Sequence, residues 1–332
     1  MRLAAFAALS AALITVIGAV PVQASYPGQN GTMAFASVGS GGKYDIFMLS
    51  ADASRVLNVT KSRKLAESNP SLSPSGKHMA WTVCCNKAGL RDVIVFNMKN
   101  GNFKNITLTM KGVGACQDPT WSPNGKRLAF GCEIGRLWKH GIFTTKPDGS
   151  ERKRITVDGE GDAISKLDWA AAGGKIAYQA HGNGDVIKTV PASGGTPTEL
   201  PVPDSYSYSA LSPSWSPDGN QIVFSHFTSQ LYVMNANGTN LRPLTAPAPY
   251  SETRAEVFDP SWSPDNEKIA FVSDWLEGQE SSNHDIYTMD APAVGETPAP
   301  VNLEYGSTDG GSVERYKRRL VDDRTPDWSP LP

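Results

Sequence analysis

Three of the five histidines, His181, His226 and His284, fall at corresponding points of successive stretches of the chain. Imidazoles repeated at one position of a scaffold are what a metal-assisted lyase or hydrolase would gather. Carboxylates in the same stretches, Glu133, Asp162, Asp185, Asp274 and Glu277, would act with them as acid, base or ligand. Paired-acid hydrolysis would use the same carboxylates, at a separation that a fold must set. A serine peptidase is disfavoured, because the chain has no Gly-x-Ser-x-Gly and no α/β-hydrolase segment. A second set of residues suits capture rather than turnover. Trp138, Trp275, Tyr206, Tyr208 and Tyr250 offer flat area for sugars or peptide side chains. Arg318 and Arg319 stand in the mixed-charge run ERYKRRLVDDR (314–324), suited to an anionic or peptide ligand.

What positions these residues is a repeated phrase. DPTWSPNGKRLAF (118–130), SPSWSPDGNQIVF (212–224) and DPSWSPDNEKIAF (259–271) are its clear copies. NPSLSPSGKHMAW (69–81) and KLDWAAAGGKIAY (166–178) are weaker ones, and TPDWSP (325–330) is truncated. The anchors Leu72, Trp121, Trp169, Trp215, Trp262 and Trp328 are separated, by subtraction, by 49, 48, 46, 47 and 66 residues. A period of roughly 40–50 residues made of short strands and Gly/Pro turns predicts propeller blades. Each repeat reads as four strands: a Pro-bearing stretch before the anchor, an SPDG-type turn, and an apolar β-former run such as KIAFVS. A third strand such as DIYTM (285–289) follows, and an Asn/Asp-Gly turn leads to a polar fourth strand ending in Leu-Thr or Ile-Thr. The anchors are predicted to pack between blades.

The chain begins with a second strand lacking a first (NGTMAFASV, 30–38) and stops on a first strand lacking a second. Joined, they complete a sixth blade and close the ring, removing the open edge. The predicted fold is therefore all-β, a six-bladed β-propeller closed by N- and C-terminal strands sharing one blade. This DPxWSPDGxxIAF…DIYxMNxDGxxxxxLT grammar resembles the TolB-type propeller repeat over nearly all of residues 26–332. The resemblance implies the propeller domain; the α/β domain that precedes it in TolB has no room between the predicted cleavage point and the first blade.

Within this frame, first strands run downward from the top face, so variable loops gather at the top and short regular turns at the bottom. Trp138 and Trp275 fall in top loops of the third and sixth blades, and Tyr206, Tyr208 and Tyr250 in loops entering the fifth and sixth. Asp118 and Asp259 open first strands near the axis, to cap backbone amides there or to contact a ligand. Residues 303–325 read as the longest top loop, either a solvated segment or a lip over the mouth. The three histidines lie after second strands, away from the axis, and need not converge. The hairpin of the third blade turns near Asn124, which puts Cys116 and Cys132 opposite each other and predicts a disulfide. Cys84 and Cys85 are left to pair with each other or across blades. No metal site and no cofactor is expected, since the thiols lack CxxC spacing or a nearby His pair.

Residues 1–24, with Arg2, a long apolar run and VQA at 22–24, read as a signal peptide, leaving 25–332 as one propeller domain. Beyond residue 24 no apolar run approaches the ~18–20 residues that span a bilayer, so no membrane insertion is expected. A formal charge of −2 gives no reason to expect nucleic acid. The reading is a monomeric periplasmic or extracellular binding module for a protein, peptide or glycan held at the top-face central mouth. The alternative is a carbohydrate-active lyase or hydrolase using a top-face His/carboxylate site.

Overall fold

A computed structural model describes residues 28–330 except 63, 85–89, 136–138, 157–162, 183, 202–209, 227–228, 247–255, 275–283, 294–299, 301–313 and 316–323. Its strands form six four-stranded antiparallel sheets, the predicted six-bladed propeller. Blade 1 holds β1 (Asn30–Val38), β2 (Tyr44–Leu49) and β3 (Val56–Asn58). Blade 2 holds β4 (Ala66–Leu72), β5 (His78–Cys84), β6 (Asp92–Asn97) and β7 (Phe103–Asn105). Blade 3 comprises β8 (Val113–Trp121), β9 (Leu128–Ile134), β10 (Lys139–Thr145) and β11 (Lys153–Arg154). Blade 4 comprises β12 (Ala163–Trp169), β13 (Lys175–His181), β14 (Asp185–Pro191) and β15 (Thr198–Glu199). Blade 5 is β16 (Ala210–Trp215), β17 (Gln221–His226), β18 (Gln230–Asn235) and β19 (Arg242–Pro243). Blade 6 is β20 (Val257–Trp262), β21 (Lys268–Ser273), β22 (Asp285–Asp290) and β23 (Glu314–Arg315), and β24 (Arg324–Pro330) returns to blade 1.

The closure is the one the half-blades predict. β24 pairs antiparallel with β1, Met33 opposite Trp328 and Ala34 opposite Asp327, so the C-terminal strand becomes the innermost strand of blade 1. One expectation is corrected here. The stretch 303–325 is not a single top loop, because β23 within it pairs with β22 as the outer strand of blade 6. A four-stranded blade needs that strand, and the unusual length of the last period hid it.

The core lies between blades rather than within one. Each of six apolar clusters draws on two neighbouring blades and contains one anchor: Leu72, Trp121, Trp169, Trp215, Trp262 or Trp328. All six anchors are 0–5% exposed, as side chains that fill an inter-blade seam must be. The SPDG turn works as its residues dictate. Gly219 adopts φ 73°, its N–H donates to the Ser216 carbonyl, and Asp218 accepts the Asn220 N–H at 3.0 Å. The Leu-Thr ending also has a mechanism. Val59, Ile106, Ile155 and Leu244 are buried in the seams. The next residue, Thr60, Thr107, Thr156 or Thr245, accepts an N–H from the third strand at 2.9–3.0 Å (Ile46, Val93, Ile142 and Leu231).

The predicted disulfide is present: Cys116 and Cys132 face each other across β8 and β9 with an S–S distance of 2.04 Å. Cys84 is also disulfide-bonded, and Cys85 lies outside the described residues. Among the described residues no helix is long and apolar enough to cross a membrane.

Candidate functional site

All six innermost strands break register at the same repeat position. The breaks fall between Ser68 and Ser71, Gln117 and Thr120, Ser165 and Asp168, Leu211 and Ser214, Phe258 and Ser261, and, along β1 opposite β24, Ala34 and Ala36. The residue inside each break is non-glycine yet left-handed: Asn69, Asp118, Lys166, Ser212, Asp259 and Thr325, with φ of 49–55°. Such a conformation is uncommon and costly for a side chain, and a bulge is the device that re-aims one. Proline follows in five of the six, which suits a place where a ladder hydrogen bond is already lost.

The six re-aimed residues line the axial space, and five of them, all but Thr325, knit across it. The Lys166 ammonium, from blade 4, lies 2.8 Å from Asp259 Oδ1 of blade 6 and 3.5 Å from Asn69 Oδ1 of blade 2. Ser212 Oγ donates to Asp259 Oδ1 at 2.7 Å. Asp118 accepts the Asn69 amide at Oδ1 and the Lys166 N–H at Oδ2, the latter at 3.0 Å. The result is a polar plug that leaves an axial cavity of about 100 Å³. Burial pushes the Asp118 carboxyl above its ordinary range and the Asp259 charge adds to this, while Lys166 and Arg91 pull the other way.

Two residues further down four of these strands, side-chain oxygens latch one blade to the next. Asp327 accepts from Leu72 N at 2.7 Å, Thr120 from Trp169 N at 3.2 Å, Asp168 from Trp215 N at 2.6 Å, and Ser214 from Trp262 N at 3.4 Å. Every acceptor bonds the anchor of the following blade, so the latch runs one way round the ring. Asp327 has some accessible surface, but protein encloses it on the channel wall. Burial pushes its carboxyl up to about 8, the Asp168 charge assists, and the Leu72 N–H opposes.

Above the plug the mouth is chemically varied. Arg91 donates to Gln117, whose own amide reaches the Ile164 carbonyl at 3.3 Å. His284 Nε2 lies 3.0 Å from Glu256 Oε2, and its ring meets Phe258 edge-on with centroids 5.0 Å apart. Ser165 Oγ lies 2.7 Å from His181 Nε2, and His181 Nδ1 lies 2.5 Å from Asp185 Oδ1. Glu67 is buried between blades 1 and 2, where desolvation raises its carboxyl to about 8; the Asp45 charge adds to the rise and Thr60 counters it.

Of the predicted ligand contacts, Asp118 and Asp259 are described, and both belong to the plug. Asp118 caps a backbone amide as expected, whereas Asp259 takes an ammonium and a hydroxyl. Trp138, Trp275, Tyr206, Tyr208, Tyr250, Arg318 and Arg319 lie outside the described residues. The histidines are not in three equivalent loops. His181 and His226 close β13 and β17, and His284 precedes β22. His226 is 2% exposed and edge-on to Tyr232. Among the described residues no three His, Cys, Asp or Glu side chains are grouped to hold a metal. Sequence reasoning missed Lys166, Asn69, Ser212 and Ser165. For Lys166 the signal was available, since KLDW places Lys where DPTW and DPSW place Asp.

These features define a six-bladed β-propeller of TolB-like fold. In overall structure the chain is similar to TolB from Acinetobacter baumannii, at 18% identity and a TM-score of 0.65 over 90% of this chain and 67% of that one. It is also similar to putative TolB from Agrobacterium tumefaciens, at 15% identity and a TM-score of 0.60 over 91% and 93% of the two chains. A chain of a nidogen/laminin complex matches at 13% identity and a TM-score of 0.57, over 85% of this chain and 96% of that one. No protein-family model matches the sequence, and no curated protein matches it.

Proposed function

We propose that the chain is an exported binding module, acting in the periplasm or outside the cell, that holds a protein, peptide or glycan ligand at the top-face mouth. The observation that carries this reading is the plug. A Lys166 strap across the axis turns the propeller from an open tube into a cup, with a polar floor and a rim of Arg91, Gln117, His181, His284 and Phe258. A rigid floor under variable loops is the arrangement in which binding usually sits. The bottom turns are short and close on their own Asp and Asn side chains, as at Asp52, Asp148 and Asn237, which suits structure rather than capture. Export is supported by the reading of residues 1–24 as a leader and by the Cys116–Cys132 disulfide, a bond that persists in oxidising compartments. The nidogen/laminin neighbour comes from a complex of proteins, which supports protein among the ligand classes.

The test is a peptide-display and glycan-array screen on the purified protein, followed by affinity measurement on variants. Trp275→Ala, or Arg318→Ala with Arg319→Ala, should weaken capture by about 1–3 kcal/mol if these are interface anchors. Asp148→Ala on the bottom face should leave it unchanged. Ligands that lose affinity with the bottom variant and not with the top ones would overturn the reading. The alternative, a carbohydrate-active lyase or hydrolase, is favoured by the His181–Asp185 and His284–Glu256 pairs. Polysaccharide cleavage by the pure protein that His284→Ala abolishes would establish that alternative.

A further inference from the structure

We infer that Ser165 is a nucleophile, activated by His181 and Asp185, and that blade 4 hydrolyses small reactive esters at the rim of the mouth. The three side chains come from three consecutive strands of one sheet. Ser165 lies on β12, His181 ends β13, and Asp185 begins β14. Pairing of Ala163 with His181, and of His181 with Asp185, brings all three to the top end of the blade. Both contacts, 2.7 Å and 2.5 Å, are short enough for proton transfer.

The direction of the relay follows from the acceptors. A carboxylate at Asp185 can only accept, so it claims the Nδ1–H of a neutral imidazole. The His181 lone pair is then at Nε2, facing the Ser165 hydroxyl, which must donate. That is the tautomer a general base requires, and the same logic recurs on unrelated folds. His181 and Asp185 side chains are 40% and 33% exposed, and Ser165 is half-buried, so a small substrate can reach them. The binding reading takes only His181 from this relay, as one side chain of the rim, and no Gly-x-Ser-x-Gly turn presents the serine.

The step balances as an ordinary acyl transfer. Ser165 Oγ bonds to the acyl carbon while its proton passes to His181 Nε2. Collapse breaks the ester C–O bond, and the departing alkoxide takes that proton. Water then attacks the acyl-serine, giving its proton to His181, and the carboxylic acid leaves as Ser165 is reprotonated. The geometry also limits the substrate. The first N–H after the nucleophile, that of Lys166, is committed to Asp118 Oδ2 and does not stabilise an oxyanion. Esters with good leaving groups, such as aryl esters, need that help least. Asp185 touches no substrate and is a positioning residue.

The experiment uses the full chain with an alkynyl fluorophosphonate and p-nitrophenyl acetate, with thermal melting to confirm folding. The wild type should carry one phosphonyl adduct on Ser165, located by fragmentation mass spectrometry, and release nitrophenol. Ser165→Ala should lose both. His181→Gln should slow labelling on the order of 10²–10⁴-fold, the usual worth of a general base. Asp185→Asn should slow it less and change the pH profile of labelling. Absence of an adduct at Ser165, equal labelling of wild type and His181→Gln, or ester hydrolysis that survives Ser165→Ala would each overturn the inference. Capture at the mouth does not require Ser165, so either reading can fail alone.

Discussion

Replacing Lys166 by Met tests whether the plug holds the ring together. The substitution keeps most of the side chain's length and removes its charge. At 2.8 Å from Asp259, with an effective dielectric near 20, the gross attraction is about 6 kcal/mol. The side chains are 27% and 12% exposed, so part of that is screened. Breaking a buried pair costs about 3–5 kcal/mol, offset here by the desolvation and rotamer freedom that lysine recovers on leaving. The net loss is therefore about 2–4 kcal/mol. Calorimetry should read it as a fall of roughly 4–8 °C in Tm, taking about 2 °C per kcal/mol for a domain this large. Adding Asp259→Asn to Lys166→Met should restore much of the loss, because it removes the stranded carboxylate. The penalty should also shrink as the pH is lowered. Asp118 is an acid raised by burial, so its protonation on acidification relieves the charge that Lys166 no longer balances. A Lys166→Met protein within about 0.5 kcal/mol of wild type, or strictly additive effects of the two substitutions, would refute the argument.

Asp327 and Glu67 have carboxyls raised to about 8, so the folded state binds more protons than the unfolded one from about pH 4 to 8, and stability falls as pH rises through that window. Denaturant titrations of Asp327→Asn and Glu67→Gln should show a shallower fall, each removing up to about 1.4 kcal/mol per pH unit of slope. Deleting 324–330 removes β24, strips Trp328 from the seam between blades 6 and 1 and exposes the β1 edge. Scattering and far-UV melts should then show aggregation or loss of a cooperative transition. Converting Cys116 and Cys132 to Ser opens a link across 16 residues and should cost about 3 kcal/mol on the loop-entropy scale, read from urea midpoints.

The repeat was legible because its chemistry recurs in every blade: an anchor that fills a seam, a turn that needs Gly or Asn, and a Thr that ties the fourth strand to the third. Closure was legible because two half-blades, 30–38 and 325–330, have no other partner that leaves the edge covered. β23 was not, since two residues of polar strand carry no periodicity and its pairing is set by the exposed edge of β22. The histidines misled for a related reason. They were placed at corresponding points of successive blades, but His181 and His226 follow their anchors by 12 and 11 residues and His284 follows Trp262 by 22, so β13 and β17 run to the histidine whereas β21 ends at Ser273, well before His284.

The plug and the relay were harder still, because each is made by departures from the repeat rather than by the repeat. At the left-handed position the blades carry Asn, Asp, Lys, Ser, Asp and Thr, a set with no consensus that a period could reveal. Symmetry would place six like charges, or six neutral groups, on one axis. A single Lys among two Asp breaks that symmetry, and of the six side chains that of Lys166 is the one that crosses from blade 4 to blade 6. Ser165 stands immediately before the same weak copy, KLDWAAAGG, so blade 4 contributes both the strap below the mouth and the hydroxyl beside it. Where a repeat protein departs from its own grammar without loss of the fold, packing no longer dictates the residue, and function is the remaining constraint. Blade 4 departs furthest, and substitutions there should separate the scaffold from what the scaffold carries.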